Sequence, residues 1–179
     1  MVNKSMTSNW ALPTNIIQYS EEGAEDAHIS WLEVDNFSGL KSADGRSIKT
    51  SNELVHIARD PRHDIIQKTY FLKITGFNFV NLPETVSGIE MKLSMNRFGR
   101  ITDDTVQLCI NDQLIGENQA TLDLNPIKIY GDQTSMWDAN LSVSDVQNSS
   151  FGITLRFKSH PRWPHRSSAM IDAVQVRVY

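Results

Sequence analysis

The sequence predicts an all-β protein with a single antiparallel β-sandwich. Three observations favour this fold class: apolar residues repeat with period two, turn residues recur between these runs, and little helical periodicity competes with them. A compact chain of 179 residues buries roughly 70% of its unfolded surface around one core, so one domain accounts for the length. We assign residues 67–179 to the sandwich core. Residues 1–66 are predicted to form an irregular N-terminal arm that packs on the sandwich or on a neighbour.

The alternation is clearest in "GIEMKLSM", where Ile89, Met91, Leu93 and Met95 share the predicted inward face. Further predicted strands are "KTYFLKITGF", "DTVQLCI", "FGITLRFK" and "AMIDAVQVRVY". The polar pair Asn111-Asp112 tolerates left-handed backbone and predicts a hairpin turn that leads into a returning strand at "QLIGEN".

Two shorter features complete the prediction. Ser142 and Asp145 have capping-box spacing, which predicts one short helical turn in "SVSDVQN". Within residues 1–66, "AHISWLEV" is the one predicted strand. The remainder of that segment is polar and rich in turn residues, which is why we describe it as irregular.

Composition argues against several classes of function. The formal net charge of -4 gives no general attraction to phosphate backbones, so nucleic acid is not a predicted partner. No apolar run is long enough to cross a bilayer, and we predict no membrane insertion. The N-terminal "MVNKSMTSNW" has no apolar core of a signal peptide, which predicts synthesis in the cytosol. A single cysteine, Cys109, cannot form an intrachain disulfide.

The motif search predicts that the protein is not an enzyme and uses no cofactor. The sequence has no G-x-S-x-G nucleophile elbow, no H-E-x-x-H and no glycine-rich phosphate loop. Cys109 lies on the outward side of a predicted strand whose other face is apolar. We therefore interpret it as a structural thiol.

No metal site is predicted either. The pairs His160 with His165 and His56 with His63 supply too few ligands, in loops that do not place both rings on one face. Two acidic stretches, Asp103-Asp104 and residues 21–26, lack the calcium-loop pattern D-x-[DN]-x-[DN]-G. We interpret both stretches as solvated acidic loops.

The stretch "SHPRWPHRSS", residues 159–168, is locally basic in a mildly acidic chain and joins the last two predicted strands. Its contact residues are predicted to be His160, Arg162, Trp163, His165 and Arg166. Tryptophan and arginine are enriched at interface hot spots, and flanking prolines reduce the entropy lost on binding. Two interpretations stay open: this contact loop binds a partner, or Trp163 folds back over the end of the sandwich.

An acidic segment is the predicted partner of the contact loop, on a neighbouring copy of the chain. Its charged residues are Glu21, Glu22, Glu25 and Asp26. Opposite charges at a rim steer association and fix register, which is why we pair the two segments.

Several motifs together resemble a family of β-sandwich proteins from phages and prophages. The motifs are W-x-x-P-x-N at Trp10, Pro13 and Asn15, followed by "EEGAEDA", "FLKITGFNFVNLPETVSGIEMKLSM", "DDTVQLCINDQLIGENQA", "YGDQTSMW", "LSVSDVQNSSFGITLRFK" and "IDAVQVRVY". The resemblance covers nearly the whole chain, with residues 38–64 as an apparent addition. It implies a jelly-roll-like sandwich that occurs in virions or beside tail and fibre proteins, and it implies no catalytic residues.

These observations predict a non-enzymatic bacteriophage virion structural protein, either capsid-decorating or associated with the tail or tail fibres. Its predicted partners are other phage structural proteins and copies of itself, and its predicted location is the virion. The alternative is a lectin-like module that binds host-surface glycan through stacking of Trp163, Trp31 or Trp137 on sugar rings.

Overall fold

The structure, a computed structural model, describes residues 7–21, 28–32, 34, 48–50, 56–58, 64–122, 125–159 and 167–179. These residues form strands and one short helix, with the following bounds: β1 Asn15–Tyr19, β2 His28–Ile29, β3 Trp31–Leu32, β4 Ile48–Thr50, β5 His56–Ala58, β6 Asp64–Ile66, β7 Lys68–Thr69, β8 Phe71–Thr75, β9 Ile89–Phe98, β10 Ile101–Ile110, β11 Gln113–Ile115, β12 Ile127–Gly131, α1 Val143–Gln147, β13 Gly152–Ser159 and β14 Ser168–Val178.

Two sheets pack face to face around one core. The first sheet has the order β1-β8-β13-β10-β11, with β7 also beside β13, and the second has the order β12-β9-β14-β4-β3. All described pairings are antiparallel except the short one between β2 and β7, and β5 pairs only with β6. The prediction of an antiparallel β-sandwich is confirmed.

The core lies between the inward faces that the alternation predicted. Ile89, Met91, Leu93 and Met95 of β9 are at most 1% exposed. The same holds for Phe151, just before β13, and for alternate apolar residues of the last two strands, which belong to the same buried cluster: Ile153, Leu155, Phe157, Val174, Val176 and Val178. Burial of each such side chain stabilises the fold by about 1.5–3 kcal/mol, so this cluster provides most of the driving force.

The predicted turn and helix are both present. Asn111 and Asp112 have φ values of 48° and 63° between β10 and β11, as a type I′ hairpin turn requires. Ser142 caps α1: its hydroxyl accepts from the backbone N–H of Asp145, whose carboxylate accepts from the backbone N–H of Ser142. This reciprocal box fixes where the helix begins.

The described part of residues 1–66 contains more strands than the one predicted at "AHISWLEV", which is divided between β2 and β3. In particular, β1 pairs along its whole length with β8 and forms an edge of the first sheet. Alternation does not reveal β1 because its two isoleucines are adjacent: Ile16 is buried and Ile17 is 42% exposed. Pairing with β8, a tertiary contact, decides its conformation.

Candidate functional site

The predicted contact loop lies outside the described residues, and so do all five of its contact residues: His160, Arg162, Trp163, His165 and Arg166. Its two flanks are described. Ser159 at the end of β13 pairs with Ile101, and the Ser167 hydroxyl donates a 3.0 Å hydrogen bond to the carbonyl of Arg100. The loop therefore leaves and rejoins the sandwich beside the turn between β9 and β10. Its role in contact stays a prediction.

The acidic segment is described only at its first residue. Glu22, Glu25 and Asp26 lie outside the described residues. The Glu21 carboxylate lies 2.6 Å from Nη1 of Arg156 in the same chain, with the Glu21 side chain 51% exposed. One charge of the segment is thus engaged within the molecule, and the pairing with a neighbouring copy stays a prediction.

Asp103 and Asp104 lie in a β-bulge of β10. Asp103 pairs with Phe157 and Thr105 pairs with Arg156, so Asp104 is the extra residue between them. The bulge turns the two neighbouring carboxylates to different surroundings, which is a known use of bulges. Their side chains are only 0% and 9% exposed and both form ion pairs. The interpretation of this pair as solvated loop residues was wrong.

Asp104 is surrounded by three cations. Its carboxylate lies 2.6 Å from Nε of Arg156, 3.1 Å from Nζ of Lys158 and 3.3 Å from Nζ of Lys68. Burial alone would raise the pKa of Asp104, but the charges of Arg156, Lys158 and Lys68 outweigh burial and hold this pKa below its usual value. The Asp104 carboxylate thus neutralises part of the positive charge of Arg156, Lys158 and Lys68, close to where the contact loop begins.

We expect Asp104→Asn to lower the free energy of unfolding by about 1.5–3 kcal/mol at neutral pH, because the charged hydrogen bond from Lys158 and the attraction to Arg156 and Lys68 are lost. A depressed folded-state pKa stabilises the protein above the unfolded-state pKa of about 3.9, and this stabilisation is lost as the pH falls through the folded-state value. Urea unfolding of wild type and variant at neutral and acid pH measures the difference. If the difference in unfolding free energy between wild type and Asp104→Asn stays the same in acid, the ion pairs of Asp104 are not the source of the stabilisation. Asp112→Asn is the control, since that side chain is 81% exposed.

Arg156 also organises an aromatic stack on the first sheet. Its guanidinium carbon lies 4.0 Å from the centroid of the Phe71 ring, and Phe71 stacks on Tyr19 at 5.0 Å. Arginine is suited to this position because its planar group stacks on a ring while it pairs with carboxylates at its edges. The two ion pairs and the ring contact hold Arg156 in one orientation.

The other aspartate of the bulge joins the two sheets. Nζ of Lys128, on β12, lies 2.8 Å from both carboxylate oxygens of Asp103, and the Tyr130 hydroxyl donates a 2.6 Å hydrogen bond to Oδ2 of Asp103. The side chains of the ion pair are 3% and 0% exposed. We refer to Asp103, Lys128 and Tyr130 as the buried triad.

In strand β12 the buried triad reverses the usual arrangement of apolar residues inward and polar residues outward. Because Lys128 and Tyr130 point inward, Ile127 and Ile129 point outward and are 56% and 58% exposed. In the described part of the chain, β12 pairs with β9 on one side only and forms an edge of the second sheet. The strand therefore presents an apolar outer surface on an open edge.

A pocket of about 300 Å³ lies at the Gly131 end of the same face. It is lined by Glu90, Asp132, Gln133, Thr134 and Tyr179. Apart from the Tyr179 ring, its lining side chains are carboxylates, an amide and a hydroxyl. This chemistry suits a polar, hydroxyl-rich ligand.

A stacked arginine, Arg177, lies beside this pocket and contacts two of its lining residues, Glu90 and Tyr179. The Arg177 guanidinium carbon lies 4.5 Å from the Trp10 ring centroid and 4.8 Å from the Tyr179 ring centroid. Nη2 of Arg177 and the Tyr179 hydroxyl both donate to Oε2 of Glu90, each over 2.6 Å. Desolvation, followed by the hydrogen bond to Glu90, raises the pKa of Tyr179, so the phenol stays a donor at neutral pH.

The chain was compared with family models, with curated proteins and with solved structures, and none of the three comparisons finds a match. The resemblance to phage and prophage-derived proteins therefore stays a prediction. Among the described residues, no helix is long and apolar enough to cross a membrane.

Within the described ranges, no three histidine, cysteine, aspartate or glutamate side chains come together as a metal site. His63, His160 and His165 lie outside these ranges, and His56 belongs to β5. Cys109 is 1% exposed, and burial raises the pKa of its thiol, which disfavours the reactive thiolate. This agrees with a structural thiol.

The aromatic residues chosen for glycan stacking differ from those that line the pocket. Trp31 and Trp137 are 2% and 1% exposed, so neither offers a ring face to a sugar, while Trp163 lies outside the described residues. Sequence reasoning missed Trp10 and Arg177. Alternation in the last strand places Arg177 outward, but only the strand register places it beside Glu90.

Proposed function

We propose that the protein is a non-enzymatic bacteriophage virion structural protein, capsid-decorating or associated with the tail or tail fibres. It acts through contacts with other phage structural proteins and with copies of itself. The observation that carries the proposal is the apolar outer surface of the open edge strand β12, with Ile127 and Ile129 more than half exposed. The resemblance of the sequence motifs supplies the phage setting.

Edge strands of proteins that stay separate are usually protected by proline, by outward charge or by a covering segment. Proline occurs just before strand β12, at Pro126, but not within it, and the one charged residue of the strand, Lys128, is turned inward and neutralised by Asp103. Leu122, shortly before the strand, is 68% exposed. In the described part of the chain no strand pairs with this edge, and an exposed apolar surface of this kind favours an interaction site over a solvated face.

Mass spectrometry of purified virions tests the setting directly. We expect this chain among the structural proteins of the particle. Its absence from virions in which the other structural proteins are detected would refute the proposal.

The contact surface has its own test. We expect the double variant Ile127→Lys/Ile129→Lys to fold normally, because both side chains point outward, and to weaken assembly by about tenfold or more, as loss of an interface hot spot does. Sedimentation and incorporation into particles in a complementation assay measure the effect. Leu114→Lys is the matched control, since Leu114 is 45% exposed on the first sheet. If the double variant assembles normally, β12 is not part of the interface.

A lectin-like, host-surface glycan-binding module is the second candidate function, and the polar pocket beside Trp10 favours it. We expect Trp10→Ala to weaken binding of host envelope polysaccharide by about tenfold, because it removes a ring and releases Arg177. Binding to immobilised polysaccharide measures the effect, and Trp163→Ala separates the pocket from the contact loop. Unchanged binding by Trp10→Ala would exclude the Trp10 ring from the sugar site.

A further inference from the structure

The buried triad contains an amine and a carboxylate held against each other away from water. Nζ of Lys128 is equidistant, at 2.8 Å, from both oxygens of Asp103. This places the nitrogen roughly 3 Å from Cγ at the edge of the carboxylate, so a rotation about the Cβ–Cγ bond of Asp103 is needed before the amine meets the face of Cγ. The cross-strand neighbours of the two residues, Leu93 and Phe157, are both 0% exposed. A water-poor site with reacting atoms in contact is a setting for condensation.

We propose that Lys128 and Asp103 condense after folding into an intramolecular isopeptide bond that links the two sheets. The ammonium first transfers a proton to the carboxylate, which leaves a neutral amine and a carboxylic acid. Nζ then attacks Cγ and forms the C–N bond, and a proton of the nitrogen passes to a carboxyl oxygen. The C–O bond to that oxygen breaks and one water molecule leaves. No oxidant, metal or other co-reactant is consumed.

Three features of the structure favour this reaction. The amine and carboxyl groups lie on strands of opposite sheets, so the fold itself supplies the proximity that an intermolecular reaction lacks. The Tyr130 hydroxyl donates to Oδ2 of Asp103, where it polarises the carboxyl group and stabilises the charge that develops on oxygen. A buried ion pair carries a desolvation cost that a neutral amide does not.

The link goes beyond the proposed function and does not depend on it. It would attach the edge strand β12 to β10 covalently and close the chain between residues 103 and 128. The apolar surface of β12 would then be held on a strand that cannot peel away from the sandwich.

Intact-mass spectrometry of the full chain tests the proposal. We expect a mass lower than that of the sequence by one water molecule. Trypsin cleaves the unmodified chain after Arg100, Lys128 and Arg156, and Lys128 is no longer a substrate once its amine is acylated. We therefore expect one fragment of residues 101–156, also lighter by one water. The full sequence mass together with cleavage after Lys128 would overturn the proposal.

Two variants sharpen the result. Lys128→Arg keeps the charge but cannot form this amide, so it should show the full mass of its sequence. If this variant does not fold, the wild-type mass and fragment pattern still decide the question. Tyr130→Phe tests the role of the hydroxyl: we expect the cross-linked fraction to form about tenfold more slowly after synthesis. An unchanged rate would overturn the assignment of Tyr130.

Discussion

Replacement of Lys128 by methionine is expected to lower the free energy of unfolding by about 3–5 kcal/mol, the usual cost of leaving a buried charge without its partner. The Asp103 side chain is 0% exposed and would keep only the hydroxyl of Tyr130 as a partner. One neutral hydrogen-bond donor does not replace an ammonium group in a low-dielectric core. Denaturant unfolding followed by circular dichroism measures the loss.

A double variant separates the charge effect from simple loss of packing. Lys128→Met/Asp103→Leu removes both charges, and replacement of a buried ion pair by apolar residues of similar volume is often neutral or stabilising. We expect it to recover much of the stability that Lys128→Met loses. If Lys128→Met alone is as stable as wild type, Asp103 is solvated or neutral in the absence of Lys128.

Trp137→Ala is expected to cost a similar amount, about 3–5 kcal/mol, because it empties the volume of a fully buried tryptophan in the core. Trp137 is 1% exposed, and its indole N–H donates a 2.9 Å hydrogen bond to the carbonyl of Ile89. Gly131 has a φ of 71° and lies so close that a Cβ there would overlap both the Ile89 carbonyl and the Trp137 ring. The tryptophan thus packs directly against the end of β12.

Two controls accompany this variant. Trp137→Phe keeps most of the ring volume but leaves the Ile89 carbonyl without the indole donor, so we expect a smaller loss of about 1–3 kcal/mol. Trp10→Ala removes a partly exposed tryptophan and should cost less than Trp137→Ala. Thermal unfolding followed by far-ultraviolet circular dichroism does not depend on tryptophan fluorescence. A loss below about 1 kcal/mol for Trp137→Ala would contradict its place in the core.

The long strands were predictable because burial on one face imposes a period of two on the sequence. In β9, Ile89 to Met95 alternate with polar residues, and the structure buries the apolar set. The capping box at Ser142 was equally predictable, since both partners lie within four residues of chain. Local rules succeed where the deciding contacts are local.

Strand β12 shows where such rules stop. Alternation alone would bury Ile127 and Ile129 and expose Lys128, and the structure does the reverse. The deciding contact is Asp103, on the other sheet and 25 residues away in the chain. The orientation of Asp103 depends in turn on a bulge, which the sequence shows only as two adjacent aspartates.

The same limit applies to the pocket. Glu90 and Arg177 are separated by 87 residues and meet only through the register of β9 with β14. Each is a polar residue on the outward face of a predicted strand, so this orientation was predictable and the ion pair between them was not. The contact loop, whose composition first suggested an interface, stays a prediction.

The anchoring of the contact loop bears on how the surface of this protein can diversify. Pairing of Ser159 with Ile101 and the hydrogen bond from Ser167 to Arg100 fix both attachment points on the sandwich. Neither interaction involves a side chain of residues 160–166. Exchange of that peptide for another of different length and charge would leave both attachment interactions in place, as in antibody frameworks that carry hypervariable loops. This position is therefore a site at which to test grafting for peptide display.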